Sequence, residues 1–415
     1  MSDTIVTITA SSQWWKYAAK MLSLSAERSG SGDSTSFLAC FYIDARSDSL
    51  ELHAESDVST TFVSGEDDAH VEGEGDYLVR STDFASYINQ MPSGGDVTVS
   101  FDDEKYSVEF EDGSVSFSNH YEKIVSDDAV PRAQKEVPGK SATATCSGSE
   151  LVSAYLMGSS MAKTKDKDSS AGYDPLSGAL VSIEKDSLSI MSAASSSAEV
   201  SLEVETQGTS KKAATSLTFP DSTKPRIAAF SDGEVEVSID KDDFLYLSDG
   251  FTVIRTNPIN IGKMRTSLSY DRIFRVSEQL HQARAMSFSL QVKDLIDAVK
   301  RAMSVGSEVV KIEVSSSSVK LSSRKAYGST PPPFSQKISA KTTWFDDGEQ
   351  WIDLSVSSRN LERISRLATQ SGSLVFEVAI HPQKNSPWGL IIYDPDSDFD
   401  YDDPHNFFII NAVSI

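Results

Sequence analysis

Residues 81–101, STDFASYINQMPSGGDVTVSF, read as a helix over Ser81–Met91 that gives way to a strand starting at Asp96. In that strand Val97, Val99 and Phe101 fall on one face, the period-two alternation of a half-buried strand. The same order recurs twice downstream. In STKPRIAAFSDGEVEVSID a weak helix over Ser222–Phe230 precedes a strand from Glu234, with Val235, Val237 and Ile239 on one face. In SSRNLERISRLATQSGSLVFEVAI a helix over Ser357–Ala368 precedes a strand from Ser373. The helix starts Ser81, Ser222 and Ser357 are 141 and 135 residues apart, and the strand starts Asp96, Glu234 and Ser373 are 138 and 139 apart. Separate landmarks that agree on one period identify a repeated structural unit.

Outward from these stretches, each unit begins with an amphipathic helix, expected over Ser12–Leu24, Ser149–Met161 and Gln291–Met303. Strand-like runs fill the rest. They include Phe37–Asp44 and the run from Leu50 in the first unit, ALVSIEKD from Ala179 and the run from Leu188 in the second, and VVKIEVS from Val309 and VKLSSR from Val319 in the third. The predicted fold class is α+β: three repeated domains at 1–135, 142–276 and 284–415, each with antiparallel sheets and two helices covering one sheet face while the other stays solvated. The polar stretches Ser126–Ser141 and Val276–Ala285 are the expected joints.

The chain has 415 residues, enough for several domains. No run of 18 apolar residues occurs and the N-terminus lacks a signal-peptide core, so no membrane partner is expected and a cytoplasmic location is, in a host cytoplasm if a virus encodes the chain. Cys40 and Cys146 fit a reducing compartment as two buried thiols better than as one disulfide. With 38 basic against 61 acidic residues the net charge is -23, which excludes a protein that grips nucleic acid over its whole surface. It does not exclude one whose basic residues are gathered on one face.

The helices carry such a face. In the first, Trp14, Ala18, Met21 and Leu22 form the apolar stripe, with Lys16 and Lys20 one turn apart off it. In the third unit Val292, Leu295, Ile296, Val299 and Met303 are expected to be buried, with Lys293, Lys300 and Arg301 outside and Asp294 and Asp297 diluting them. In the last helix Leu361, Ile364 and Leu367 face in, while Arg359, Arg363 and Arg366 follow i, i+4, i+7 on an exposed stripe. Lys163, Lys165 and Lys167 cluster just after the first helix of the second unit. Charge on a single helix is ordinarily a solvated face. Its recurrence on helices of repeated units, in so acidic a chain, singles these residues out as candidates for contact with phosphates. The helix over Ser81–Met91, with Asp83, Asn89 and Gln90, does not share the pattern.

Three such units in this order resemble the bacterial-type DNA sliding clamp, the beta subunit of DNA polymerase III. The local matches are the run from Leu50 to Gly94, LSYDRI at Leu268–Ile273, and the C-terminal FFIINAVSI. The resemblance implies a ring-forming, head-to-tail homodimer with strands outside and helices inside, encircling double-stranded DNA without reading its sequence. It further implies a cleft between the second and third domains that takes a short apolar motif of DNA polymerase or clamp loader. Carried over by position, Leu176, Leu268, Arg272 and Ile273 line one side, and Asn411, Ala412, Val413 and Ile415 the other. Ordinary packing between domains is the competing reading of these positions. The chain departs from the family at Ala193 and Ser195–Ser196, where members carry a threonine and a glycine-histidine pair, and at Ala412, where the tail proline stood.

No catalytic constellation is legible. The six histidines are scattered without metal-ligand spacing, and no phosphate-binding loop, nucleophile elbow or dinucleotide fingerprint occurs. The acidic run Asp394–Asp403 lacks the glycine and glutamate of a calcium loop and reads as a solvated hairpin tip, and Pro331–Pro333 as an irregular loop. No metal, cofactor or enzymatic activity is therefore expected. The rival reading is a repeated-domain structural β-protein, such as a virion or surface component, which predicts no basic helix stripe.

Overall fold

The computed structural model describes residues 6–26, 37–111, 113–123, 139–162, 178–183, 187–193, 198–204, 206–209, 215–220, 223–258, 278–324, 333–345, 352–367, 372–381, 386–396 and 407–411. Its helices include α1 (Ser12–Leu22), α2 (Ser81–Gln90), α3 (Gly148–Gly158), α4 (Lys224–Ala228), α5 (Val292–Ser304) and α6 (Ser358–Leu367). They pack in the expected pairs, α1 on α2, α3 on α4 and α5 on α6. The order of elements repeats three times, and every strand pairing among the described residues is antiparallel.

Several strands escaped the sequence reading, three of them at the start of a unit. Val6–Ser11, Lys140–Ser147 and Arg284–Gln291 each run directly into the first helix of a unit. The second begins inside the stretch read as a joint, and the third at its end. VTITAS has the alternation of a strand, with Val6, Ile8 and Ala10 buried, but its closeness to the terminus hid it. The helix α4 spans only Lys224–Ala228 rather than Ser222–Phe230. Pro225 is tolerated there because the first turn needs no N–H from it.

The sheets run through the unit boundaries. A ten-stranded sheet joins the first unit to the second where Ser59–Ser64 pairs with Thr252–Thr256, from Thr252↔Val63 to Thr256↔Ser59. A nine-stranded sheet joins the second to the third where Ala198–Val204 pairs with Phe407–Asn411, from Ala198↔Ile410 to Ser201↔Phe407. A five-stranded sheet at one end finishes with Ser116–His120, and a four-stranded sheet at the other finishes with Ser335–Ser339.

One apolar core fills the space between helices and strands through all three units. Trp15 anchors it in the first: its Nε1 donates to the Val97 carbonyl at 3.1 Å, and its ring lies edge-on to Trp14 and Phe84. The expectation of a solvated outer sheet face fails near the unit boundaries. On Phe407–Asn411, Phe408 and Ile410 belong to the helix-side core, while Phe407 and Ile409 join Leu180, Met191 and Ile391 in a second cluster. Successive side chains point to opposite faces, so this strand is buried on both, which explains the unbroken FFII run. Cys40 and Cys146 are both buried, and burial pushes the Cys146 thiol up to about 12.

Candidate nucleic-acid interface

The apolar pattern of each helix decides where its basic residues go. α1 begins where Ser11 Oγ accepts from the Trp14 N–H at 3.1 Å, an N-cap that fixes the helix on its preceding strand. Burial of Trp14, Trp15, Ala18, Ala19, Met21 and Leu22 turns Lys20 to solvent and leaves Lys16 half-exposed, its Nζ 3.5 Å from Ser93 Oγ. α5 buries Val292, Leu295, Ala298, Val299 and Ala302 and exposes Lys293, Lys300 and Arg301 together with Asp294 and Asp297. Two expected core positions shift: Ile296 is half-buried and Met303 is exposed. In α6 Leu361 and Ile364 are buried, Arg359 and Arg366 are exposed, and Arg363 is half-buried. Lys163, Lys165 and Lys167 lie outside the described residues.

Ion pairing separates these residues from several bases on the strands. Arg46 pairs with Asp44 and Asp76, Lys140 with Glu236, Arg284 with Glu377, Lys311 with Glu313 and Asp353, and Lys320 with Glu313. Arg255 lies over the Phe244 ring. The Asp353 carboxylate holds the Lys311 ammonium above its ordinary range. Arg80, Lys105, Arg324, Lys337 and Lys341, also on strands, make no ion pair among the described residues; Arg324 Nη1 instead donates to Ser355 Oγ at 2.6 Å. Among the described residues, Lys16, Lys20, Lys293, Lys300, Arg301, Arg359 and Arg363 make no ion pair. Of the helix stripe only Arg366 does, with Glu362 one turn before it. Arg301 Nη1 instead donates to Gln336 Oε1 at 3.0 Å, toward the edge strand. A strand base paired with a carboxylate is locally neutral; an unpaired one on a helix face is available to an external anion.

Sequence reasoning passed over Lys224 and Arg226 on α4, although basic residues on a predicted helix were the signal used elsewhere. Lys224 is half-exposed, whereas Arg226 is buried, and burial lowers its pKa. α3 has no basic residue and exposes Glu150 and Leu156. The described helices of the second unit therefore carry little of the positive charge.

Of the cleft positions, Leu176, Leu268, Arg272, Ile273, Ala412, Val413 and Ile415 lie outside the described residues. Asn411 ends the last strand, where it pairs with Gly389. Among the described residues no group of three His, Cys, Asp or Glu is placed to hold a metal ion, and no helix is long and apolar enough to cross a membrane.

No family model matches the sequence, and no curated protein matches it. Solved structures do match, over the whole chain. The DNA polymerase III subunit beta of Pseudomonas aeruginosa superposes with a TM-score of 0.76 at 12% identity, covering 99% of this chain and 100% of that one. The DNA polymerase III beta subunit of Thermotoga maritima gives 0.74 at 13% identity with the same coverage. The C. crescentus beta sliding clamp gives 0.74 at 16%, again with the same coverage. The chain has the fold of a bacterial-type sliding clamp, reached with little sequence in common.

Proposed function

We propose that the protein is a DNA sliding clamp: a non-enzymatic, head-to-tail homodimer of three-domain chains that encircles duplex DNA and tethers a polymerase to it. The observation that carries this reading is the set of seven unpaired bases on α1, α5 and α6 in a chain of net charge -23. Such a face attracts phosphates with no means of reading bases, and an acidic remainder resists binding elsewhere. Sliding requires each contact to be weak, and retention by a closed ring does not need any contact to be strong.

Closure into a ring is supported by the two outer edges. Ser59–Ser64 and Ala198–Val204 hold corresponding places in the first two units, and each pairs with the last strand of the unit that follows. In the third unit the corresponding strand is Ser335–Ser339, and in the first unit the strand that corresponds to Thr252–Thr256 is Ser116–His120. Both end their sheets among the described residues. A heterologous contact between them repeats the internal joints and closes when two chains supply six units. The partner cleft, with Leu176, Leu268, Arg272, Ile273 and the tail from Asn411 to Ile415, is proposed for the boundary of the second and third units, and its occupants are an apolar motif of polymerase or clamp loader.

The test is retention on DNA of different topology. Protein loaded on nicked circular DNA is expected to remain through gel filtration and to be lost after one restriction cut. Equal retention on circular and linear DNA overturns the reading.

A further inference from the structure

From Val314 to Phe345 the chain carries Lys320, Arg324, Lys325, Lys337 and Lys341 and no aspartate or glutamate, although the whole has 61 acidic residues against 38 basic. The last part of this stretch is one continuous ribbon. Ser335–Ser339 is the edge strand of the four-stranded sheet, and with only Ala340 between, the chain enters Lys341–Trp344, an edge strand of the nine-stranded sheet. Backbone bonds hold the turn and the far end: the Ala340 N–H donates to the Ser317 carbonyl at 3.1 Å and the Phe345 N–H to the Ala285 carbonyl at 3.0 Å. Burial alternates without a break. Ser335, Lys337, Ser339, Lys341, Thr343 and Phe345 are exposed, and the residues between them are buried or half-buried. Phe334, Ile338, Ala340 and Trp344 pack on the helix-side core, and Gln336 accepts from Arg301 of α5. The exposed set therefore lies on the opposite, outer face of both sheets.

The positive charge of this face is not cancelled locally. Lys337 lies directly opposite Lys320, and like charges at opposed positions repel. The acids that share the face are already engaged: Glu313 by Lys311 and Lys320, Asp353 by Lys311, and the buried Glu377 by Arg284. The first unit is built differently at the same place. Two residues before the N-cap of the first helix, Thr9 pairs with His70 in the first unit and Ser289 with Lys341 in the third. Lys341 and Thr343 thus stand where His70 and Glu72 stand, and an acid is replaced by a hydroxyl. At the end of the ribbon Phe345 is 40% exposed, with the Arg284 guanidinium over its ring at 4.5 Å.

We propose that this outer ribbon is a second nucleic-acid site, separate from the helix bases, and that it takes a single strand without reading its sequence. Lys337 and Lys341 attract phosphates, and the hydroxyls of Ser335, Ser339 and Thr343 between and beside them donate to phosphate oxygens. Phe345, backed by Arg284, offers a ring on which a base can stack. Alternate residues of a strand are about 6.6 Å apart, so these groups form a line, which an extended strand follows and the winding backbone of a duplex leaves. An acidic peptide satisfies the lysines equally well but has no use for the exposed ring, and that ring decides for a nucleic acid. Backbone pairing along the Ser335–Ser339 edge approaches from the side and leaves this face open. The site needs neither ring closure nor the helix bases, and so stands apart from the clamp reading.

The test is anisotropy of a short labelled oligothymidylate titrated with the full chain across a salt series. Each phosphate contact on a single strand contributes about 0.7 to the slope of log affinity against log salt, so K337Q/K341Q should lower that slope by about 1.4. Over a fourfold rise in salt the wild-type chain should then lose about sevenfold more affinity than the variant. F345A should weaken binding at least about fivefold, the effect of losing one stacked base. Lys337 and Lys341 are exposed, so K337Q/K341Q should fold as the wild type does and report on binding even where F345A disturbs its strand. Both variants should leave the salt slope for duplex DNA unchanged, and K337Q/K341Q made in an R359E/R363E/R366E background should lower the single-strand slope by the same amount. An unchanged single-strand slope in K337Q/K341Q, or an equal loss for duplex and single strand, overturns the proposal. So does displacement of the oligonucleotide by polyglutamate together with unaltered binding in F345A, which makes the ribbon a site for an acidic peptide.

Discussion

Changing Arg359, Arg363 and Arg366 together to glutamate should flatten the salt dependence of DNA binding before it affects anything else. Each phosphate contact on duplex DNA contributes about 0.9 to the slope of log affinity against log salt. Three lost contacts remove about 2.7 from that slope, and two remove about 1.8, since Arg366 is already engaged by Glu362. Over a fourfold rise in salt the wild-type chain should lose about 12- to 40-fold more affinity than the variant. The fold should tolerate the change. Arg359 and Arg366 are exposed, and a like charge at 366, one turn from Glu362, costs only a few tenths of a kcal/mol (about 0.2–0.5). The assay is fluorescence anisotropy of a labelled duplex across a salt series, with the melting temperature checked in parallel. Lys140→Gln is the control, because Lys140 is paired with Glu236 on a strand and its loss should leave the slope unchanged. An unaltered slope in the triple variant, or an equal change in the control, refutes the placement of phosphates against α6.

Three further expectations concern the scaffold. Tyr17→Phe removes bonds from the Tyr17 hydroxyl to Asp249 at 2.9 Å and Thr252 at 2.8 Å, which tie α1 to the hairpin of the second unit; a loss of about 1 kcal/mol is expected in denaturant unfolding. Gly158→Ala places a Cβ 2.6 Å from Ile190 Cγ2 and 2.8 Å from the Ile190 carbonyl, and overpacking of about 1–3 kcal/mol should appear as a lower midpoint. Burial pushes the Tyr77 hydroxyl up to about 12 from 10.0. A raised pKa in the folded state means stability is complete below the unfolded value and falls as pH rises from about 10 toward 12; Tyr77→Phe should retain more of its stability across that window in alkaline melts.

How much was legible followed from how local the signal was. α1, α2, α5 and α6 were readable because each writes a complete amphipathic stripe or sits in a repeated frame, and their ends moved by only a residue or two. α4 was overextended at its end because Phe230 continues the apolar pattern, whereas it is buried in the core beyond the last helical turn. The strand Val6–Ser11 went unread although its alternation is regular, since a terminal segment gains its strand identity only from partners far along the chain, Ala69–Glu72 and Asp96–Phe101. The joints were the deepest miss. Phe62, Val253 and Phe407 mark strands buried on both faces, and a half-solvated pattern cannot announce a neighbour that sits 190 residues away in sequence. The basic stripe on α6 was fully visible as spacing. What was invisible was ion pairing: Lys311 and Arg359 are equally basic in the sequence, and only the fold puts Asp353 beside one and solvent beside the other.

That distinction bears on how DNA sits in the proposed ring. Counting unpaired bases by unit, α1 offers Lys16 and Lys20, α5 and α6 offer Lys293, Lys300, Arg301, Arg359 and Arg363, and α3 offers none. On the described helices alone, a ring of two such chains is positive along two opposite arcs and close to neutral in the middle units. If the proposed ring holds DNA by these bases, a duplex is drawn toward one arc at a time and can exchange to the other by a small lateral shift. Weak, spaced contacts on opposite sides permit that exchange without release, because the seam between chains, and not the affinity of either arc, keeps the DNA inside.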